Sequence, residues 1–200
     1  MGITQARYWR RIYLIFCLFL GAATPLLCWW MIPDFNPIHK PLSYFGVAEH
    51  TSWLWNLTLL LLAIGVFLNA KASFFHYFKK RYVRRFLRIL LWVSSISLAL
   101  TALVNMQYSL VHKLAAASFF AVYNFFVFCF GFIRALKQLR KGVFSVVIGA
   151  LMLLSCLLLI PFPSYGVFEI VYLLLILYWN SAILWERMHR ENSLFSSAKV

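Results

Sequence analysis

Six apolar runs divide the chain, at Ile12 to Met31, Trp53 to Ala70, Phe86 to Asn105, Leu114 to Arg134, Val143 to Pro161 and Val167 to Glu186. Each comes close to the roughly 20 mostly apolar residues a helix needs to cross the hydrocarbon core of a bilayer. Unbroken apolarity over that length, without the period-two alternation of a half-buried strand, predicts an all-α, polytopic membrane protein. The segments between the runs are short, so residues 1–200 read as a single six-helix transmembrane domain with no separate soluble unit.

Polar residues inside the runs are ordered rather than scattered. Ser94, Ser97, Thr101 and Asn105 follow steps of three, four and four, which put them on one face of span three. His112, Ala116 and Tyr123 share a face of span four, with Asn124 close by, and Glu169, Tyr172, Ile176 and Asn180 form a stripe on span six. Hydrocarbon offers no hydrogen-bond partners, so such faces are expected to turn toward protein or water. Asn56, Asn105, His112 and Glu169 then lie near the same end of four different spans and form the candidate site. Inter-helix hydrogen bonds or headgroup contacts account for the same residues equally simply.

Composition agrees with the membrane class: 64% hydrophobic residues, 12% charged and a mean hydropathy of +0.82. The net charge of +14 would suggest nucleic acid in a soluble protein, but its distribution points to orientation instead. Arg7, Arg10 and Arg11 precede span one, and seven basic residues lie between Lys71 and Arg88. Arg134, Lys137, Arg140 and Lys141 follow span four, and Arg187, Arg190 and Lys199 follow span six. Only Lys40 and Lys113 fall on the other side. The positive-inside rule then places both termini in the cytoplasm and loops 32–52, 106–113 and 162–166 outside it. The run from Lys79 to Arg85 also suits anionic headgroups. Trp29, Trp30, Trp53, Trp55, Tyr108 and Tyr165 gather at the opposite ends, as interfacial aromatics do.

The basic N-terminus and first apolar run have the layout of a signal sequence. The run continues through Trp30 without a small-residue cleavage site, so a retained helix is expected. Cys17, Cys28, Cys129 and Cys156 show no paired spacing and read as buried apolar fillers. The sequon Asn56-Leu57-Thr58 sits within span two, out of reach of glycosylation. Pro25 interrupts span one. Small residues at Gly21 to Ala23, Ser95 and Ala99, and Ala117 and Ala121 permit close helix contacts. The loop after span one carries Asp34, His39, Lys40, Ser43, Glu49 and His50, but none has metal-ligand spacing and Ser43 has no base beside it. No metal and no cofactor is expected.

Lys40-Pro41-Leu42-Ser43-Tyr44-Phe45-Gly46, followed by Asn56, resembles the first signature of the DRAM/Frag/Sfk family of autophagy modulators and GPI-anchor-remodelling factors. A second match is Asn105-Met106-Gln107, then His112, Ala115-Ala116 and Phe119, and bacterial multi-pass relatives share much of this pattern. Leu42, Tyr44 and Ala115 depart from it. The resemblance implies a six-span fold with cytoplasmic termini and the signature positions Ser43, Gly46, Asn56, Asn105, Gln107 and His112. It assigns no catalytic role to them.

The leading expectation is a protein that binds or organises lipid at the extracytoplasmic leaflet, in lipid homeostasis or membrane trafficking. Its ligand-binding residues would be Ser43, Gly46, Asn56, Asn105, Gln107, His112 and Glu169, and its partners membrane lipids rather than nucleic acid. An alternative is an intramembrane lipid hydrolase or acyltransferase with His112 as general base, oriented by Glu169 or Asp34. A small transporter is a third class, disfavoured by the lack of charged or broken helices near the midplane.

Overall fold

A computed structural model describes residues 3–71, 78, 80–104, 106 and 108–197. Six helices make up the fold: α1 (Ile3–Met31), α2 (Ser52–Lys71), α3 (Arg81–Leu103), α4 (Ser109–Ala135), α5 (Leu139–Leu154) and α6 (Gly166–Ser197). Short 3-10 segments occur at Leu42–Gly46 and Ser155–Leu159, and no strand occurs among the described residues. All six helices, the fifth together with its 3-10 extension to Leu159, are long and apolar enough to cross a membrane, so the chain is a multi-pass membrane protein. Span three ends two residues before the expected Asn105. The fifth helix narrows to 3-10 geometry at Ser155, whose hydroxyl donates to Met152 O at 2.7 Å.

Each helix packs beside its neighbours in sequence, and α1 meets α6, which closes the bundle. The tightest pair is α4 with α5, where a Cβ added to Gly131 would lie 2.6 Å from Val146 N. A Cβ at Gly149 would come within 3.2 Å of the Phe128 backbone. Close backbone approach of this kind replaces hydrophobic driving force in a lipid solvent. The small residues singled out from spacing contribute elsewhere: the Ser95 hydroxyl donates to Ala63 O at 2.8 Å and joins α3 to α2. Pro25 lies inside α1 next to Thr24, whose hydroxyl meets that of Thr58 on α2 at 3.0 Å.

The main core lies between α3, α4, α5 and α6 around Trp179, which is fully buried against Tyr123, Phe126 and Phe130. Its indole N–H donates to Ser145 Oγ at 3.0 Å, so the largest apolar side chain also satisfies its polar atom. A second cluster, Cys28, Phe35, Leu42, Phe45 and Trp55, packs the first loop onto the bundle. Trp55 is therefore a core residue and not part of the exposed aromatic belt, whereas Trp29, Trp30, Trp53, Tyr108 and Tyr165 are exposed. All four cysteines are free. Cys156 is exposed, which corrects the expectation that every one is a buried filler.

Two carboxylates of α6 have different surroundings. Glu186, near the basic end, pairs with the buried Arg134 at 2.5 Å and with Lys141 at 3.0 Å. At the other end Glu169 faces loop 32–51. That end, which also carries the α3–α4 and α5–α6 connections, is called the loop end below.

Candidate functional site

The first loop is bound to the bundle through its own backbone. Glu169 Oε2 accepts the Leu42 N–H at 2.5 Å, and Asn56 Nδ2 donates to Gly46 O at 3.1 Å. The two bonds hold the opposite ends of the 3-10 segment, one from α6 and one from α2. The Thr51 hydroxyl adds a bond to Phe45 O at 2.8 Å. The Ser164 hydroxyl donates to Pro37 O at 2.8 Å, and Tyr165 takes a left-handed φ of 68° as the chain turns into α6. At Gly166 a Cβ would overlap Pro37 O and Lys40 O, so the start of α6 lies directly against the loop. Gly46 is confined in the same way: a Cβ there would lie 2.8 Å from Asn56 Oδ1.

Beneath this cover runs a cavity of about 180 Å³ walled by α1, α2, α3, α4 and α6. Ser43, Trp55 and Glu169 line its loop end. Leu59, Leu62, Phe120 and Tyr172 line its walls, and Asn69 and Arg187 lie at its basic end. Glu169 and Arg187 are 18 positions apart on one helix, or about 27 Å at the α-helical rise. The residues lining the cavity are thus spread along much of α6, a separation close to the roughly 30 Å thickness of bilayer hydrocarbon.

Polar groups within it differ in how well they are satisfied. Asn180 and Tyr123 bond to each other, with Asn180 Nδ2 donating to the phenol oxygen at 2.8 Å and to Ile176 O at 2.8 Å. The Tyr172 hydroxyl donates to Phe120 O at 2.6 Å. By contrast Asn69 is buried, and its Oδ1 accepts no hydrogen bond among the described residues.

The expected site is thus only partly assembled. Ser43 and Glu169 meet at the cavity, whereas Gly46 and Asn56 sit behind them and hold the loop. His112 stands apart: its Nδ1 lies 2.8 Å from Val104 O, closing the turn between α3 and α4, and it does not line the cavity. Its Nε2 is buried with no partner among the described residues. Asn105 and Gln107 lie outside the described residues, as do His76 and Lys79 of the basic segment. Asp34, Glu49 and His50 are exposed in the loop. No group of three or more metal-ligating side chains occurs among the described residues. His112 and Glu169 are not paired among the described residues: the imidazole Nδ1 lies on the Val104 carbonyl and the carboxylate takes the Leu42 N–H.

The polar stripes fared better. Glu169, Tyr172, Ile176 and Asn180 all line the cavity, as do Ala116, Tyr123 and Thr101. Ser94 and Ser97 are buried within the bundle, and the Ser94 hydroxyl returns to Leu90 O of its own helix. Trp55, Asn69 and Arg187 also line the cavity, without a signal in the sequence that marks them for it. Trp55 resembles a belt residue in sequence, and Asn69 and Arg187 sit among residues that read as the basic margin.

Residues 15–186 match DUF998, described as a protein family of unknown function. The chain belongs to that family. This overturns the DRAM/Frag/Sfk resemblance, which rested on short motifs: among their positions Leu42, Gly46, Asn56 and His112 take part in holding a loop and a helix turn in place. No curated protein and no solved structure is significantly similar to the chain.

Proposed function

We propose that this DUF998 protein binds or organises membrane lipid through its interior cavity and acts in lipid homeostasis or membrane trafficking. By the positive-inside rule the loop end faces away from the cytoplasm, so the lipid would be drawn from the extracytoplasmic leaflet. The observation carrying this reading is the apolar cavity, which ends in polar groups beneath a loop fixed by Glu169 and Asn56. Apolar walls with a few placed polar groups are the usual construction of a small-molecule site. Apolar lining spread along the helices suits an extended acyl chain rather than a compact solute.

The test is native mass spectrometry and lipid extraction on protein purified in mild detergent, together with the Ala116→Phe variant. Ala116 lines the cavity, and a phenyl ring there takes up part of its volume. Lipid carried by the wild-type protein and absent from the folded variant supports the reading. An empty wild-type cavity, with leaflet lipid composition unchanged on deletion of the protein, defeats it.

A further inference from the structure

Resting on that reading, we infer that the Glu169 end of the cavity receives the ammonium group of a single-chain lipid with a primary-amine headgroup. Glu169 and Glu186, both on α6, have contrasting surroundings. Glu186 is neutralised by Arg134 and Lys141, while Glu169 forms no ion pair among the described residues. A half-buried carboxylate at the end of an apolar cavity is costly unless it is both hydrogen-bonded and matched by opposite charge. Backbone amides at the loop meet the first need and leave the second open.

The surroundings of Glu169 suit a cation. Trp55, Phe120 and Tyr172 line the cavity with it, and Tyr172 follows Glu169 by about one helical turn on the same face. Aromatic faces attract ammonium groups, most strongly away from water. A primary ammonium also brings three N–H donors, which the carboxylate and the Ser43 hydroxyl are able to accept, whereas a quaternary amine brings none. The cavity volume of about 180 Å³ favours a single chain, directed along α6 toward Tyr123 and Asn180.

The experiment measures binding of lysophosphatidylethanolamine, lysophosphatidylcholine and lysophosphatidylglycerol of equal chain length to the full-length protein in detergent, with ethanolamine as a chain-free control. The wild-type protein is expected to favour the ethanolamine lipid by about tenfold over each of the other two, equivalent to one charge-assisted contact. Glu169→Gln keeps an oxygen for the Leu42 amide and is expected to lose that preference while still binding all three. Equal wild-type binding of the three lipids overturns the amine assignment and leaves the lipid cavity standing. No binding of any lipid defeats both. Comparable binding of ethanolamine alone would assign the seat to a free amine and overturn the lipid form. The wild-type comparison decides the matter even where Glu169→Gln fails to fold.

Discussion

Glu169 Oε2 takes the backbone N–H of Leu42 at 2.5 Å, a contact between residues 127 positions apart that joins the first turn of the last helix to the first loop. It sets the height of the loop over the cavity, because Leu42 opens the 3-10 segment and Asn56 holds its other end at Gly46. Hydrogen bonds to charged groups contribute about 1.5–3 kcal/mol. Glu169→Ala is therefore expected to lower thermal stability in detergent and to speed amide exchange at residues 42–46 first. Exchange that accelerates evenly over the whole chain would deny the contact this local role.

The Arg134–Glu186 pair bridges α4 and α6 near the basic end, with Arg134 almost fully buried. Removing Glu186 takes the carboxylate from a guanidinium that is almost fully buried, and breaking a buried pair in this way costs about 3–5 kcal/mol. Glu186→Leu alone should reduce the melting temperature sharply, and adding Arg134→Met should recover much of the loss. Thermal melts of the two single variants and the double variant check this. An additive double variant counts against direct coupling.

Gly166 and Gly131 are close-approach sites of different kinds. Alanine at Gly166 meets the carbonyls of Pro37 and Lys40, and alanine at Gly131 meets the α5 backbone at Val146. Forcing a methyl group into packed backbone costs about 1–3 kcal/mol. Gly166→Ala is expected to expose loop 32–51 to protease while the bundle stays folded. Gly131→Ala should lower the melting temperature without creating a new cleavage site in that loop.

Asn69 makes the opposite prediction. Its buried Oδ1 has no partner among the described residues, and an unsatisfied polar atom of this kind costs about 1–3 kcal/mol. Asn69→Leu keeps a similar volume and should raise the melting temperature of lipid-free protein. A drop in stability would mean that Asn69 is hydrogen-bonded in the protein as purified.

His112 tests the loop-closing role against the catalytic one. With Nδ1 on Val104 O, its contact is matched by a side chain that donates a hydrogen bond without titrating. His112→Asn should keep most of the wild-type stability and His112→Leu should lose about 1 kcal/mol, the usual net value of a hydrogen bond. Parallel melting curves of the two variants settle which is right.

The number of spans and the faces carrying Tyr172, Ile176, Asn180 and Tyr123 were legible in the sequence, because hydrocarbon forces apolar length and turns polar side chains inward. Depth along a helix was legible as well: Asn56, His112 and Glu169 do lie toward the loop end of their helices. What the tertiary structure alone decided is partnership. Glu169 and His112 look equivalent in sequence, yet one reaches Leu42 at the cavity while the other bonds Val104 beside its own helix. Trp55 and Trp53 stand two positions apart in α2, and only Trp55 turns inward to meet Phe45, at 5.3 Å between ring centroids. Periodicity fixes an angle around one helix axis, whereas a contact depends on where six axes cross and how closely glycines such as Gly131 and Gly166 let backbones approach. That is why the chain announced a membrane bundle with polar inner faces, and only the folded bundle separated the groups that hold the loop from those that line the cavity.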